Sequence, residues 1–344
     1  MSIVSPEFEA PKKVTIEDVA RHAGVSVATV SKAVNRKYGV AKATIERVNE
    51  AVRELGYVPS MAASSMRNSA SNVVGILLAG FDPFATEVIK GISAEAVNKD
   101  YELMAYSAAI ADDKTVGWER DSLIRLGGTI LDAAIVLTPS VALPEVAMPI
   151  VAIDPRMGPG GPPSIACDSL AGARAATQHL IDLGHTRIAH IRGRTDLTSA
   201  LIREQGYCQA IAEAGLPYDP SMIVDGGYRR NWGADATRKL LALPEPPTAI
   251  FAANDSSALG VMDAAAEMGL SIPRDLSVVG FDDVPECMYA TPALTTVAQP
   301  LMEMGAQAYR TILSMLGHED VENSLKVPAE LVVRGSTAPF VAAA

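Results

Sequence analysis

The sequence predicts an α/β protein with a small all-α head at its N-terminus. From Asn72 onward, short apolar runs of strand length alternate with longer helical stretches, the pattern of parallel strands joined by helical crossovers. Before that point, residues 14–55 carry apolar residues at helical spacing and no strand-like run. Charge divides the chain at the same place. Residues 11–70 hold 10 Lys and Arg against 5 Asp and Glu, a balance of +5, while residues 71–344 carry −14 of the total of −11. A basic head on an acidic body points to a polyanionic partner for the head alone.

The head resolves into three helices. Thr15 with Asp18 three residues later has the form of a capping box and starts the first. Ile16, Val19, Ala20 and Ala23 share one face of it. Gly24 stops this helix, Val25 plugs the turn, and Ser26 offers its hydroxyl as the next N-cap. The second helix buries Val30, Ala33 and Val34, which leaves Val27, Ala28, Thr29, Ser31 and Lys32 toward the outside. From Ala43 to Leu55, a stripe of Ile45, Val48, Val52 and Leu55 makes the third, with Gly56 at its stop. Three short helices with a tight glycine turn between the first two read as a helix-turn-helix unit, whose second helix fits the DNA major groove. A plain three-helix capping subdomain is the competing reading.

The stretch "PSMAASSMRNSASN", Pro59–Asn72, is small, polar and nearly uncharged, the composition of a linker. Ser60 can nevertheless cap a helix of about two turns from Met61, which is too short to stand alone in water.

Strands follow at "VVGILLA", "ELMAYSA", "AAIVLT" and "PIVAID", then at "RIAHIRG", "TAIFAAND" and "SVVGFDD". "DSLAGARAATQHLIDLG" and "SALGVMDAAAEMG" are among the helical stretches between them. A parallel sheet binds ligands beyond the carboxyl ends of its strands. There the chain places Asp82, Asp154, Asn254 with Asp255, and Asp282 with Asp283. Carboxylates accept hydrogen bonds from hydroxyls, Arg203 would donate in a fixed fork, and the Trp232 indole would pack on the C–H face of a sugar ring. The set suits a polyhydroxylated ligand. Any one of these acids is as readily a turn or helix cap, and Trp232 is as readily core.

Several classes are disfavoured. The longest apolar runs fall well short of the roughly 20 residues of a membrane span, and no stretch of signal-peptide length opens the chain. A cytoplasmic location without membrane partners is expected. Cys167, Cys208 and Cys287 have no zinc or redox spacing, and no metal or cofactor is expected. Walker A, GxGxxG, GxSxG and HExxH motifs are absent, which argues against an enzyme. Asp282-Asp283 offers the paired carboxylates of a glycosidase, but neighbours at a strand end usually point apart. A solute-binding protein would have no use for the head.

"TIEDVARHAGVSVATVSKAVN…GYVPS" resembles the head of the lactose-repressor (LacI/GalR) family of bacterial transcription regulators. "FDPFATEVIKGI", "LIDLGHTRIAHIRG", "FAANDSSALGVMDAAAEMGLSIPRDLSVVGFDDVP" and "TPALTTVAQPLMEMG" extend the resemblance to about Thr337. It implies a two-lobed, periplasmic-binding-protein-like core of parallel sheets flanked by helices. The expected layout is a tail at 1–12, the helix-turn-helix domain at 13–60, a hinge helix at 61–71, the core at 72–340 and a tail at 341–344. The N-lobe would take 72–168 plus 299–326, and the C-lobe 169–298 plus 327–340.

By the same resemblance, Ala28 and Lys32 face bases, with Val27, Thr29 and Ser31 nearby, while Ser26 and Asn35 touch phosphates. In the hinge, Met66 stands where an apolar wedge enters the minor groove, beside Arg67. Effector contacts fall on Asp82, Phe84, Asp154, Ser199, Arg203, Trp232, Asn254 and Asp282. The implied protein is a homodimeric repressor on a pseudo-palindromic operator, controlled by a mono- or disaccharide, with a nucleobase-type corepressor as the alternative. Ala41 replaces the usual Ser or Thr cap of the third helix. Asp82-Pro83-Phe84-Ala85 replaces the frequent Asn-Pro-Phe-Phe, which disfavours a flat base held between two rings. No heptad tail follows to build a tetramer.

Overall fold

The computed structural model describes residues 14–34, 39–57, 71–107, 116–156 and 161–341. It forms two compact units, Met1–Ser71 and Asn72–Ala344. The expected hinge helix, with Met66 and Arg67, lies outside the described residues, as does Asn35.

The first unit has three helices: α1 (Ile16–Ala23), α2 (Val27–Val34) and α3 (Lys42–Leu55). The capping box is present, with Asp18 N donating to Thr15 Oγ1 at 3.3 Å and Thr15 N donating to Asp18 Oδ2 at 3.0 Å. Gly24 and Gly56 end α1 and α3 in the left-handed region, where a side chain would be strained. Thr29 N donates to Ser26 Oγ at 3.1 Å, so Ser26 caps α2. Ala41 gives α3 no side-chain cap. Val19, Val30 and Val48 are fully buried where the three helices meet, with Ala51 beside them, while Val52 and Leu55 pack at the margin.

The second unit is a pair of α/β lobes. Its chain opens with β1 (Val73–Leu77), α4 (Pro83–Ala96), β2 (Glu102–Tyr106), α5 (Trp118–Leu126), β3 (Ala133–Leu137), β4 (Ile150–Ile153) and β5 (Ser164–Cys167). It continues through α6 (Ser169–Asp182), β6 (Ile188–Arg192), α7 (Thr198–Glu213), β7 (Ile223–Asp225), α8 (Arg230–Leu241), β8 (Ala249–Ala252), α9 (Asp255–Glu267) and β9 (Ser277–Asp282). It closes with α10 (Glu286–Tyr289), β10 (Thr295–Ala298), α11 (Leu301–Leu316), β11 (Ser324–Val327) and β12 (Glu330–Val332). The first sheet runs β11-β5-β4-β3-β1-β2 and is parallel throughout. The second runs β12-β10-β9-β8-β6-β7 and is parallel except for β12 against β10.

In the first sheet, alternate residues serve opposite faces, as strand geometry requires. Val74, Ile76, Ile135 and Ile153 join one core, while Val73, Leu77, Val136 and Ile150 join the other with Leu123 and Leu126 of α5. On the first of these cores α4 and α11 cross with backbones nearly touching. A β-carbon on Gly91 would sit 1.8 Å from the Met302 carbonyl oxygen, and one on Gly305 would sit 2.1 Å from that of Val88. These interior helix glycines are therefore a packing requirement.

The chain passes between the sheets three times. Cys167 is the last residue of β5 and Asp168 caps α6, which packs on the second sheet. Ala298 ends β10 in the second sheet, and α11 packs on β3, β4 and β5. The third passage lies at Pro328-Ala329. Val327 pairs with Cys167 in the first sheet, so that lobe runs one residue past the expected boundary at 326.

Candidate functional site

In the first unit, α2 presents the residues expected to read DNA. Ser26, Val27, Ala28 and Lys32 are exposed, and Thr29 and Ser31 are half-buried. The burial of Val30 and Ala33 on the opposite side of α2 turns this face outward. Ser26 Oγ and Thr29 Oγ1 lie 2.9 Å apart, so the capping hydroxyl also fixes its neighbour. The first turn of α2 carries no acid, which leaves its amide dipoles open to an anion. His22 Nε2 lies 2.6 Å from Glu54 Oε2 and ties α1 to α3.

In the second unit, the strand ends converge on Arg203, in the second turn of α7. This guanidinium is 3% exposed and lies over the Phe281 ring, 3.7 Å from its centroid. Its Nη1 donates to the Ala253 carbonyl at 2.6 Å and reaches Asp282 Oδ1 at 3.4 Å. Its Nε donates to Ser169 Oγ at 3.4 Å. Burial alone lowers its basicity, but Tyr228, Asp282 and Asp154 outweigh that and raise it, so Arg203 stays charged.

Asp282 ends β9 with a φ of +120° and is buried. Desolvation lifts its carboxyl well above the usual range, against the pull of Arg203 and of Gln299, whose Nε2 donates to Oδ1 at 2.7 Å. Asp255 and Asp82 add like charge to it. Asp283 turns away to Arg334, 2.7 Å off, so the two adjacent acids do point apart.

Asp154 is the residue after β4 and also has a positive φ, +54°. Burial raises its carboxyl, while Arg203 and a hydrogen bond from the Ser199 hydroxyl pull it down. Ser199 stands on α7 of the second lobe, so this influence acts from one lobe on the other. Ser199 Oγ also lies 3.3 Å from the Tyr228 hydroxyl. Asp82 sits in a recess at the start of α4. Its side chain meets solvent, Ala85 N donates to Oδ1 at 2.8 Å, and the surrounding protein still lifts its carboxyl by desolvation.

The remaining expected residues divide. Asn254 is buried with both ends of its amide engaged: Oδ1 accepts from Ser257 N at 2.9 Å, and Nδ2 donates to the Tyr228 carbonyl at 3.4 Å. It caps α9 and holds the β7–α8 loop. Phe84 is half-buried and packs on the core of the first lobe. Trp232 is 42% exposed on the first turn of α8, against Gly227 and with the Arg229 guanidinium 5.3 Å from its ring centroid. The aromatic ring facing Arg203 and Ser199 is instead Tyr228, with a φ of +62° and a hydroxyl pushed up to about 12, chiefly by burial. A β-carbon on Gly193 would sit 2.1 Å from this ring, so the glycine after β6 makes room for it.

Tyr228, Gln299 and Ser169 also bond or face the Arg203–Asp282 pair, and sequence reasoning missed them. Tyr228 stands beyond a strand end, as the acids do, and "DGGYRR" is the signal that could have found it.

The arrangement can hold a small molecule by hydrogen bonds from both lobes. Asp82 and Asp154 come from the first, and Ser199, Arg203, Tyr228 and Asp282 from the second. Carboxylates accept from hydroxyls, and the tyrosine offers a face. Among the described residues, no group of three or more His, Cys, Asp or Glu is placed to hold a metal, and no helix is long and apolar enough to cross a membrane.

Comparison with known proteins agrees with this geometry. Residues 15–60 match the family model for bacterial regulatory proteins of the lacI family, and residues 177–337 match that for the periplasmic binding protein-like domain. The ribose operon repressor of Escherichia coli (strain K12) is 34% identical over 328 residues, which cover 94% of this chain and 99% of the repressor. A solved complex of the transcriptional regulator CelR with cellobiose superposes with a TM-score of 0.69 at 30% identity, covering 94% of this chain and 100% of CelR. The lac repressor dimer bound to operator and the anti-inducer ONPF gives a TM-score of 0.76 at 27% identity, over 95% of this chain and 100% of the repressor chain. The three-helix head and the two α/β lobes thus have counterparts along nearly the whole chain: the protein belongs to the lacI family of bacterial regulatory proteins and is a DNA-binding transcription regulator, not an enzyme.

Proposed function

We propose that this regulator is a dimeric, cytoplasmic repressor whose operator affinity is set by a mono- or disaccharide held between its lobes. The observation that carries the effector half is the cross-lobe cluster. Asp154 of one lobe meets Ser199 of the other, opposite the buried Arg203–Asp282 pair. A ligand seated there touches both lobes and biases the angle between them. A relative named for the ribose operon and a neighbour solved with cellobiose support a sugar, while the repressors CytR and PurR are similar to the same degree. Ala85, which is buried and offers no second ring beside Phe84, also supports a sugar.

For the DNA half, two copies place α2 in successive major-groove half-sites related by the dimer axis, as the lac repressor dimer on its operator suggests. Ala28 and Lys32 read bases, flanked by Val27, Thr29 and Ser31, while Ser26 and Asn35 hold phosphates. Met66 wedges into the minor groove with Arg67 beside it.

A thermal-shift panel of mono- and disaccharides, ribose and cellobiose included, tests the effector reading, because a ligand of the native state raises Tm. At least one sugar should raise Tm, and Asp154→Ala should remove the rise. A panel in which purines raise Tm and no sugar does would replace the sugar with a nucleobase-type corepressor.

A further inference from the structure

We infer that Gln299 is a positioning residue that carries the state of the effector pocket into the passages between the lobes. The inference rests on the reading of Asp282 as an effector contact. Gln299 is the one residue between β10 and the Pro300 that precedes α11, and it is 7% exposed. Its Nε2 donates to Asp282 Oδ1 at 2.7 Å, and its backbone N reaches the Asp282 carbonyl at 3.4 Å. On its other side, its carbonyl accepts from Leu301 N at 2.8 Å, the first residue of the helix that packs on the opposite lobe. One side chain thus bonds a pocket carboxylate while its backbone starts the first lobe's helix.

Asp282 Oδ1 also faces Arg203 Nη1, so its two acceptor sites are both engaged within the protein and Oδ2 is the oxygen left for an effector hydroxyl. An effector that draws Asp282 toward itself must lengthen or turn the Gln299 bond. The other passages join the same hub. Ser169, just after the first passage, accepts from Arg203 Nε at 3.4 Å. Asp168 beside it pairs with Lys326 Nζ at 2.8 Å and donates its backbone N to the Val327 carbonyl at 2.9 Å, which ties the first passage to the third. All three passages therefore connect to the Arg203–Asp282 pair, the second through the Gln299 side chain as well as the pairing of Ala298 with Asp282.

The test is a double-mutant cycle that needs no effector. Full-length wild type, Gln299→Leu, Asp282→Asn and the double variant are titrated against an operator recovered by selection from random duplex DNA. Hydrogen exchange is followed in the same four proteins at residues 298–302. Each single substitution should change operator Kd by about fivefold or more and speed exchange at 298–302, and the double should match the larger single. If Gln299→Leu lowers Tm but leaves operator Kd unchanged, or if the two effects multiply, Gln299 is a packing residue and the inference is overturned. If instead Asp282→Asn keeps the full thermal response to every sugar that shifts wild type, it is the effector role of Asp282 that fails.

Discussion

Arg203 Nη1 stands 3.4 Å from Asp282 Oδ1 with both side chains shielded from water. Two charges in such a place are costly to bury and more costly to separate. Arg203→Met alone or Asp282→Leu alone should destabilise the protein by about 3–5 kcal/mol, because each leaves one buried polar group without its partner. The double replacement should cost less than either single. Urea unfolding of the three variants checks this, and a double that is simply the sum of the singles would show that the two residues act independently.

His190 is fully buried on β6 between the Tyr207 and Phe251 rings, 5.2 and 4.9 Å away between centroids. Nδ1 meets the Phe251 carbonyl at 3.0 Å, while Nε2 has no partner. Burial lowers its pKa to about 3, so the folded protein holds it neutral. The unfolded chain takes up its proton near pH 6.5, so this residue's contribution falls as pH drops from about 6.5 toward 3, by up to about 1.4 kcal/mol per unit. Asp255, raised to about 6 by burial, acts in the opposite sense, losing stability as pH rises from its ordinary value toward 6. His190→Phe isolates the histidine. It should leave stability at pH 7.5 unchanged or higher, and the gain over wild type should grow between pH 6 and 4.

Gly91 meets the Met302 backbone where α4 crosses α11. Gly91→Ala would place a methyl into a carbonyl oxygen, so the helices must part, at a cost of about 1–3 kcal/mol. An alanine at half-buried Gly80, where a β-carbon meets nothing within 4 Å, is the control and should be far milder. Thermal unfolding distinguishes them.

Lys32 is the long cation on the exposed face of α2. Lys32→Ala should cost about 1–3 kcal/mol at one base pair of each half-site and relax the preference there. Binding to a library randomised at each position measures it. A uniform loss on all sequences would mark Lys32 as a phosphate contact.

Much of this fold was legible along the chain. β1, β3, β4, β8 and β9 are buried at every position, and such strands read as unbroken apolar runs. The strands that sequence reasoning passed over are short and carry polar or exposed residues: "SIAC" of β5, "IVD" of β7, "TTVA" of β10, "SLKV" of β11 and "ELV" of β12. Missing β7 hid Tyr228, because the strand-end rule has nothing to act on without the strand. Trp232 drew attention by being rare, yet its ring packs on Gly227 and Arg229. Asp154, Arg203 and Asp282 were legible because a charge at a buried strand end or helix start needs a reason. Gln299 was not, because its partner Asp282 lies 17 residues earlier and meets it only through the pairing of β9 with β10.

A ligand between the lobes should control the affinity of the head for DNA. Fluorescence anisotropy on a labelled operator, with and without the sugar that gives the largest thermal shift, tests it most directly. The sugar should change operator Kd by about tenfold or more in wild type, a coupling of about 1.4 kcal/mol, and not at all in Asp154→Ala. A sugar that binds tightly while operator Kd stays the same in wild type would contradict it.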